Sequence, residues 1–123
     1  MYLDTHVVVW LHDGLRQRIP EVSQRLLDAE PLTLSPMVEL EIAYLLEIGK
    51  MSYPPNVVLG DLAPLDLSVS TSPYYSVVRV VIGLRWTQDP FDRLIAAQAV
   101  ADGVPLLTAD RRIRAHLDLA VWD

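Results

Sequence analysis

The stretch DPFDRLIAAQAVADGVPLLTAD, residues 89–110, sets a helix and a strand in immediate succession. Asp89 before Pro90 reads as an N-cap followed by proline at the first helical position. Asp92 then falls at the third helical position, where an acid complements the helix dipole. At the helical period Asp92, Ile95, Ala96 and Ala99 share one face, and its small residues let the helix approach a sheet closely. Gly103 stops the helix. The apolar run that follows is too short for another helix and reads as a strand buried on both faces, with Asp110 just after it. A helix feeding a buried strand is half of a parallel β-α-β unit.

Upstream, the same alternation recurs. MYLD is a short strand leading into the helix THVVVWLHDG, closed by Gly14, and PEVSQRLLDAE is a second helix with Pro20 at its start. PLTLS is a strand, and Ser35–Pro36 opens a long helix through MVELEIAYLLEI to Gly49. YPPN breaks the chain, VVLGDLA is a weak helix, PLDLSV a strand and SPYYSVVRVVIGLRW a helix despite its valines. RRIRAH is a short helix and LAVW a last strand. These elements predict an α/β fold, a three-layer sandwich around a mainly parallel sheet, as a single domain over residues 1–123. Sites in such sheets lie beyond the carboxyl ends of the strands, where Asp4 and Asp110 fall.

Composition narrows the function. With 51% hydrophobic residues the chain is expected to bury a sizeable core. No apolar run approaches the roughly 18 residues of a membrane helix, and an acid at position 4 argues against a secretory signal. With no cysteine there are neither disulfides nor thiolate metal sites, and the expected location is the cytoplasm. The net charge of −6 opposes a general nucleic-acid binder, but six arginines (79, 85, 93, 111, 112 and 114) stand against four aspartates in residues 79–116. That segment can be a local phosphate-binding surface or an ordinary solvated one.

Four acids carry the chemical question, and each has a plain structural reading. In the helix after Ser35, Glu39 and Glu47 share a polar stripe. Glu41 lies about 200 degrees around from Glu39, among Met37, Val38, Tyr44 and Leu45. It is either one edge of a wide polar face, the partner of a buried arginine, or a site residue. Asp4 can be an N-cap, although Thr5 can cap equally well. Asp110 can open a short helix. Capping accounts for Asp89 fully and for Asp92 by half. If the fold gathers Asp4, Glu41, Asp92 and Asp110, their repulsion calls for a cation. Carboxylates without histidine or cysteine suit Mg²⁺ or Mn²⁺, and the natural chemistry is metal-assisted phosphodiester hydrolysis. His6, His12 and His116 show no metal-ligand spacing, and Trp10, Trp86 and Trp122 are assigned to the core.

The sequence resembles the PIN-domain family, specifically the VapC-type toxins of toxin–antitoxin pairs. The resemblance spans nearly the whole chain through LDTHVVVWL, LSPMVELEIAYLLEIGKM and DPFDRLIAAQAVADGVPLLTAD. It places the family's acids on Asp4, Glu41, Asp92 and Asp110. Ser35 opens the motif that contains Glu41, which selects Glu41 over Glu39. Thr5 and Thr108 match polar positions beside the acids, and Asp89 is a supporting position. The resemblance implies a PIN-like fold and a Mg²⁺-dependent endoribonuclease, with Mn²⁺ as substitute. It also implies a homodimer with a small antitoxin covering the site, and Arg93, Arg111 and Arg112 are the candidate contacts to RNA phosphates. Many relatives have His-Arg just before DPFDR, where this chain has Thr87-Gln88. A receiver domain is rejected because it needs a lysine after a late strand, and the only lysine, Lys50, ends a helix. A PIN-like module that binds protein or RNA without catalysis is the remaining alternative.

Overall fold

In the computed structural model, which describes residues 1–123, the first strand lies in the middle of the sheet. β1 (Tyr2–Leu3), β2 (Thr33–Leu34), β3 (Ser68–Val69), β4 (Leu106–Leu107) and β5 (Ala120–Val121) form the order β3-β2-β1-β4-β5. Every neighbouring pair is parallel, so the sheet is wholly rather than mainly parallel. The chain fills one side of β1 with β2 and β3, then returns to the other side with β4 and β5. That reversal leaves a crevice between β1 and β4, the topological switch point of an open parallel sheet.

The strands are short, but the ladder runs past their ends. Tyr2 N donates to Pro105 O at 2.8 Å and Asp4 N to Leu107 O at 3.0 Å. Residues 2–4 are therefore held alongside residues 105–107. Leu3, Leu34, Leu106 and Leu107 are buried and join Val7, Val8, Val38, Ile42, Ile95 and Ile113 in one core cluster. Complete burial of each such side chain is worth about 1.5–3 kcal/mol. Trp10, Trp86 and Trp122 pack against this cluster.

The seven helices are α1 (Thr5–His12), α2 (Glu21–Ala29), α3 (Pro36–Glu47), α4 (Pro55–Asp61), α5 (Tyr74–Gly83), α6 (Pro90–Asp102) and α7 (Arg111–His116). They flank the sheet in a PIN-like α/β/α sandwich. Gly14 and Gly103 take φ of 71° and 64° just after α1 and α6, a left-handed conformation that glycine enters without a Cβ clash. Three boundaries differ from the sequence expectation. Pro20 caps α2 rather than entering it. PLDLSV is a 3-10 turn over Ala63–Leu65 and then a two-residue strand, because Asp66 adopts a left-handed φ of 54° that ends the turn. α5 stops at Gly83, and Leu84 is already extended, which frees the chain to turn into the Asp89 cap.

Candidate active site

The ends of β1 and β4 fix the first pair of acids. Asp4 is 3% exposed and caps α1, yet its Oδ1 accepts only from the adjacent Thr5 N at 2.8 Å. Its Oδ2 accepts from Thr108 Oγ1 at 2.6 Å. Thr108 is itself fully buried, and its hydroxyl accepts from Asp110 N at 3.0 Å. One threonine thus joins both strand ends. Asp110 caps α7, with Oδ1 accepting from Arg112 N at 2.8 Å and Ile113 N at 2.9 Å. Burial pushes the Asp4 carboxyl up and Asp110 adds to the rise, while Thr108 and His6 oppose it.

Antiparallel packing of α3 and α6 supplies the second pair. Ser35 Oγ, the N-cap of α3, meets Gln98 Oε1 of α6 at 3.5 Å. Six residues along α3 and six back along α6, roughly 9 Å at 1.5 Å per residue, reach Glu41 and Asp92. Ile95, Ala96 and Ala99, on the Asp92 face, are fully buried, so the sequence reading of that face holds. Burial pushes the Asp92 carboxyl up to about 7, with further contributions from Asp89, Asp4, Asp110 and Glu41. Burial also raises Glu41, and Asp4 and Asp89 reinforce the shift. The Thr5 hydroxyl is near enough to favour ionised Glu41. The pair falls short of hydrogen-bond geometry, however, and Thr5 Oγ1 and Glu41 Oε1 are both buried without a partner.

The other sequence candidates separate cleanly. Asp89 is a cap, with Oδ1 accepting from Asp92 N at 3.0 Å. Thr87 is buried and its hydroxyl accepts from Asp89 N at 3.2 Å, which steadies that cap. Arg111 and Arg112 are exposed beside Asp110 and form no ion pair. Arg93, expected at a substrate phosphate, is committed elsewhere: its Nη2 donates to Val81 O at 3.1 Å and ties α6 to the end of α5. His6, which lacks metal-ligand spacing in the sequence, is exposed on α1 and favours the charged forms of both Asp4 and Glu41. Its place two residues after Asp4 is the sequence signal that marks it among the three histidines. His12 instead lies between Asp13 Oδ1 at 3.1 Å and Asp61 Oδ2 at 2.8 Å, and His116 stacks on Trp86.

This donor set suits a hard divalent cation. It offers only oxygens, and two of its carboxylates, Glu41 and Asp92, make no side-chain hydrogen bond although both are partly buried. The four side chains do not converge on one point, since no three of them are spaced to share an ion. Asp4 and Asp110 are held by hydrogen bonds, whereas the Glu41 and Asp92 carboxylates have none. Surface cavities of about 380 Å³ lie away from the acids, one lined by Val22, Leu26 and Trp122 and another by Met1, Leu26 and Pro105.

The PIN domain family model matches residues 1–117. Ribonuclease VapC22 of Mycobacterium tuberculosis is 31% identical over 116 residues, covering 93% of this chain and 89% of that protein. The crystal structure of VapBC2 from Rickettsia felis, bound to a DNA fragment from their promoter, superposes with a TM-score of 0.66 at 19% identity. That alignment covers 99% of this chain and 98% of the other. Five parallel strands in this order, acids at the crevice between β1 and β4, and a match along nearly the whole length lead to one assignment: this chain belongs to the PIN-domain family and is of the VapC type.

Proposed function

We propose that this protein is a Mg²⁺-dependent endoribonuclease, the toxin of a toxin–antitoxin pair, with Mn²⁺ able to substitute. Asp4, Glu41, Asp92 and Asp110 would hold the cation. The observation that carries this reading is the arrangement at the strand ends: Thr108 ties Asp4 to Asp110, Glu41 Oε1 is buried without a partner, and no arginine or lysine is paired to any of the four acids. A structural acid is normally capped, paired or solvated, and the buried Glu41 oxygen is none of these, which calls for a cation from outside the chain. A bound divalent ion supplies charge neutralisation at a phosphate and a more acidic water. The protein's own part is to hold Asp4 and Asp110 in place through Thr108 and two helix N-termini. It also presents Glu41 and Asp92 from facing helices and offers Arg111 and Arg112 to neighbouring phosphates. The 31% identity to a protein named as a ribonuclease supports RNA as the substrate.

The protein acts as a homodimer in the cytoplasm, and a small antitoxin silences it by placing a basic side chain among the acids. No helix is long and apolar enough to cross a membrane. The test is cleavage of total RNA by the purified protein with Mg²⁺, with Mn²⁺ and with chelator, followed by sequencing of the cut ends. Cleavage that persists in chelator refutes the metal requirement. RNA left intact under all conditions, with binding retained, supports the silent PIN-like module instead.

A further inference from the structure

The chain has a single phenylalanine, Phe91, and the core does not use it. Its ring packs on Tyr44, with centroids 5.4 Å apart and planes at 31°. Tyr44 is likewise outside the core cluster and is 44% exposed. The three tryptophans pack against the core, and Tyr2 is buried in it. Tyr53, Tyr74 and Tyr75 are exposed as well, so what sets this pair apart is its place rather than its exposure. Its position is specific: Tyr44 stands one helical turn past Glu41 on α3, and Phe91 directly precedes Asp92 on α6.

Resting on the ribonuclease reading above, we propose that Tyr44 and Phe91 form a platform on which a nucleobase beside the cleaved bond stacks. The site has an arginine end on α7, where the exposed Arg111 and Arg112 follow Asp110, and an aromatic side where Tyr44 on α3 meets Phe91 on α6. Phosphates belong at the arginine end. On α3 the exposed Glu47, three residues past Tyr44, forms no ion pair and repels the RNA backbone, which favours the neutral base as the group that approaches Tyr44. Stacking needs only a ring face and tolerates any base, so the platform positions the strand without fixing its sequence. Tyr44 and Phe91 are substrate-binding residues in this scheme and take no part in bond cleavage.

The test uses the whole protein and an RNA that the parent cleaves, with 2-aminopurine placed on either side of the cut. Tyr44→Ala should raise KM about tenfold with kcat within about twofold, and Tyr44→Trp should restore KM. Quenching of 2-aminopurine on binding, measured in an Asp92→Asn background to prevent cleavage, should be lost with Tyr44→Ala and kept with Tyr44→Trp. Phe91→Leu should act in the same direction, and Tyr75→Ala, an exposed tyrosine on α5, should change neither readout. Unchanged KM and quenching in Tyr44→Ala overturn the proposal while leaving the ribonuclease reading intact. A raised KM accompanied by dissociation of the assembly also overturns it, because the exposed stripe Leu40, Tyr44 and Ile48 is then a protein interface. A parent that neither binds nor cleaves any RNA refutes both readings.

Discussion

The hydroxyl of Thr108 reaches the carboxylate of Asp4 at 2.6 Å across 104 residues of sequence. The same oxygen accepts from Asp110 N, so one side chain sets the spacing of two acids. Thr108→Val keeps the shape and removes both bonds, leaving a buried carboxylate oxygen short of a donor. It should cost about 1–3 kcal/mol in urea unfolding at neutral pH, whereas Thr108→Ser should retain most of the stability. Because the Thr108 bond opposes the rise of the Asp4 carboxyl, Thr108→Val should also weaken the stabilisation by added Mg²⁺.

Asp89 and Asp92 stand three apart and are expected to separate under the same substitution. Asparagine caps helices about as well as aspartate, so Asp89→Asn should shift stability by only a few tenths of a kcal/mol and leave much of the cleavage. Asp92→Asn gives up a dipole interaction worth about 0.3–1 kcal/mol but relieves repulsion from four acids. In metal-free buffer it should be no less stable than the parent. It should gain far less melting temperature from Mg²⁺ or Mn²⁺, and RNA cleavage should fall to background. The reverse pattern, with Asp89→Asn inactive and Asp92→Asn active, would exchange the two roles.

The raised acids give the protein a pH dependence of definite sign. Asp92 ionises near 3.8 when unfolded and near 7 when folded, so between those values the folded state holds more protons. Stability should therefore fall as pH rises from about 4 to about 7 and level off above. Asp4 and Glu41 are shifted in the same direction. His12 adds a stabilisation present below 6.5 and lost as pH passes its own raised value, and this is common to parent and Asp92→Asn. Their difference thus isolates Asp92: chemical denaturation across pH 4–8 should show a shallower fall for the variant. Excess Mg²⁺ should flatten the parent's fall as well, since binding expels the proton.

Arginines that look alike in sequence should behave differently. Arg111→Gln and Arg112→Gln should each weaken RNA binding and reduce the salt slope, by about 0.7 for each single-strand phosphate that is no longer neutralised. Arg93→Gln removes a bond to Val81 O and should instead cost about 0.5–1.5 kcal/mol of stability with the salt slope unchanged. Binding titrations at several salt concentrations, set beside melting curves, distinguish the two classes.

The helices and strands were legible because their signals are local. Caps at Ser35 and Asp89, stops at Gly14 and Gly103, and the apolar run before Thr108 each act within a few residues of chain. The short β3 was not legible as such, because a left-handed Asp66 interrupts an apolar segment that otherwise reads as strand throughout. At the site, the face of Asp92 and the apolar setting of Glu41 followed from helical period. The fate of Arg93 depended on where α5 ends, which is a packing outcome. Thr108's bond to Asp4 and the meeting of Tyr44 with Phe91 join distant segments and leave no mark on spacing. The resemblance pointed to Thr108, but only the strand register explains what it does.

The placement of β1 between β2 and β4 also sets a timetable for synthesis. The first acid to leave the ribosome must wait for the last, since Asp4 is held by a strand that ends only just before Asp110. At about 5–20 residues per second, that interval is on the order of 5–20 s. A nascent chain therefore carries a central strand open on its β4 side and acids with nothing to gather them. Whatever chemistry the cluster performs is withheld from the ribosome that is still making it.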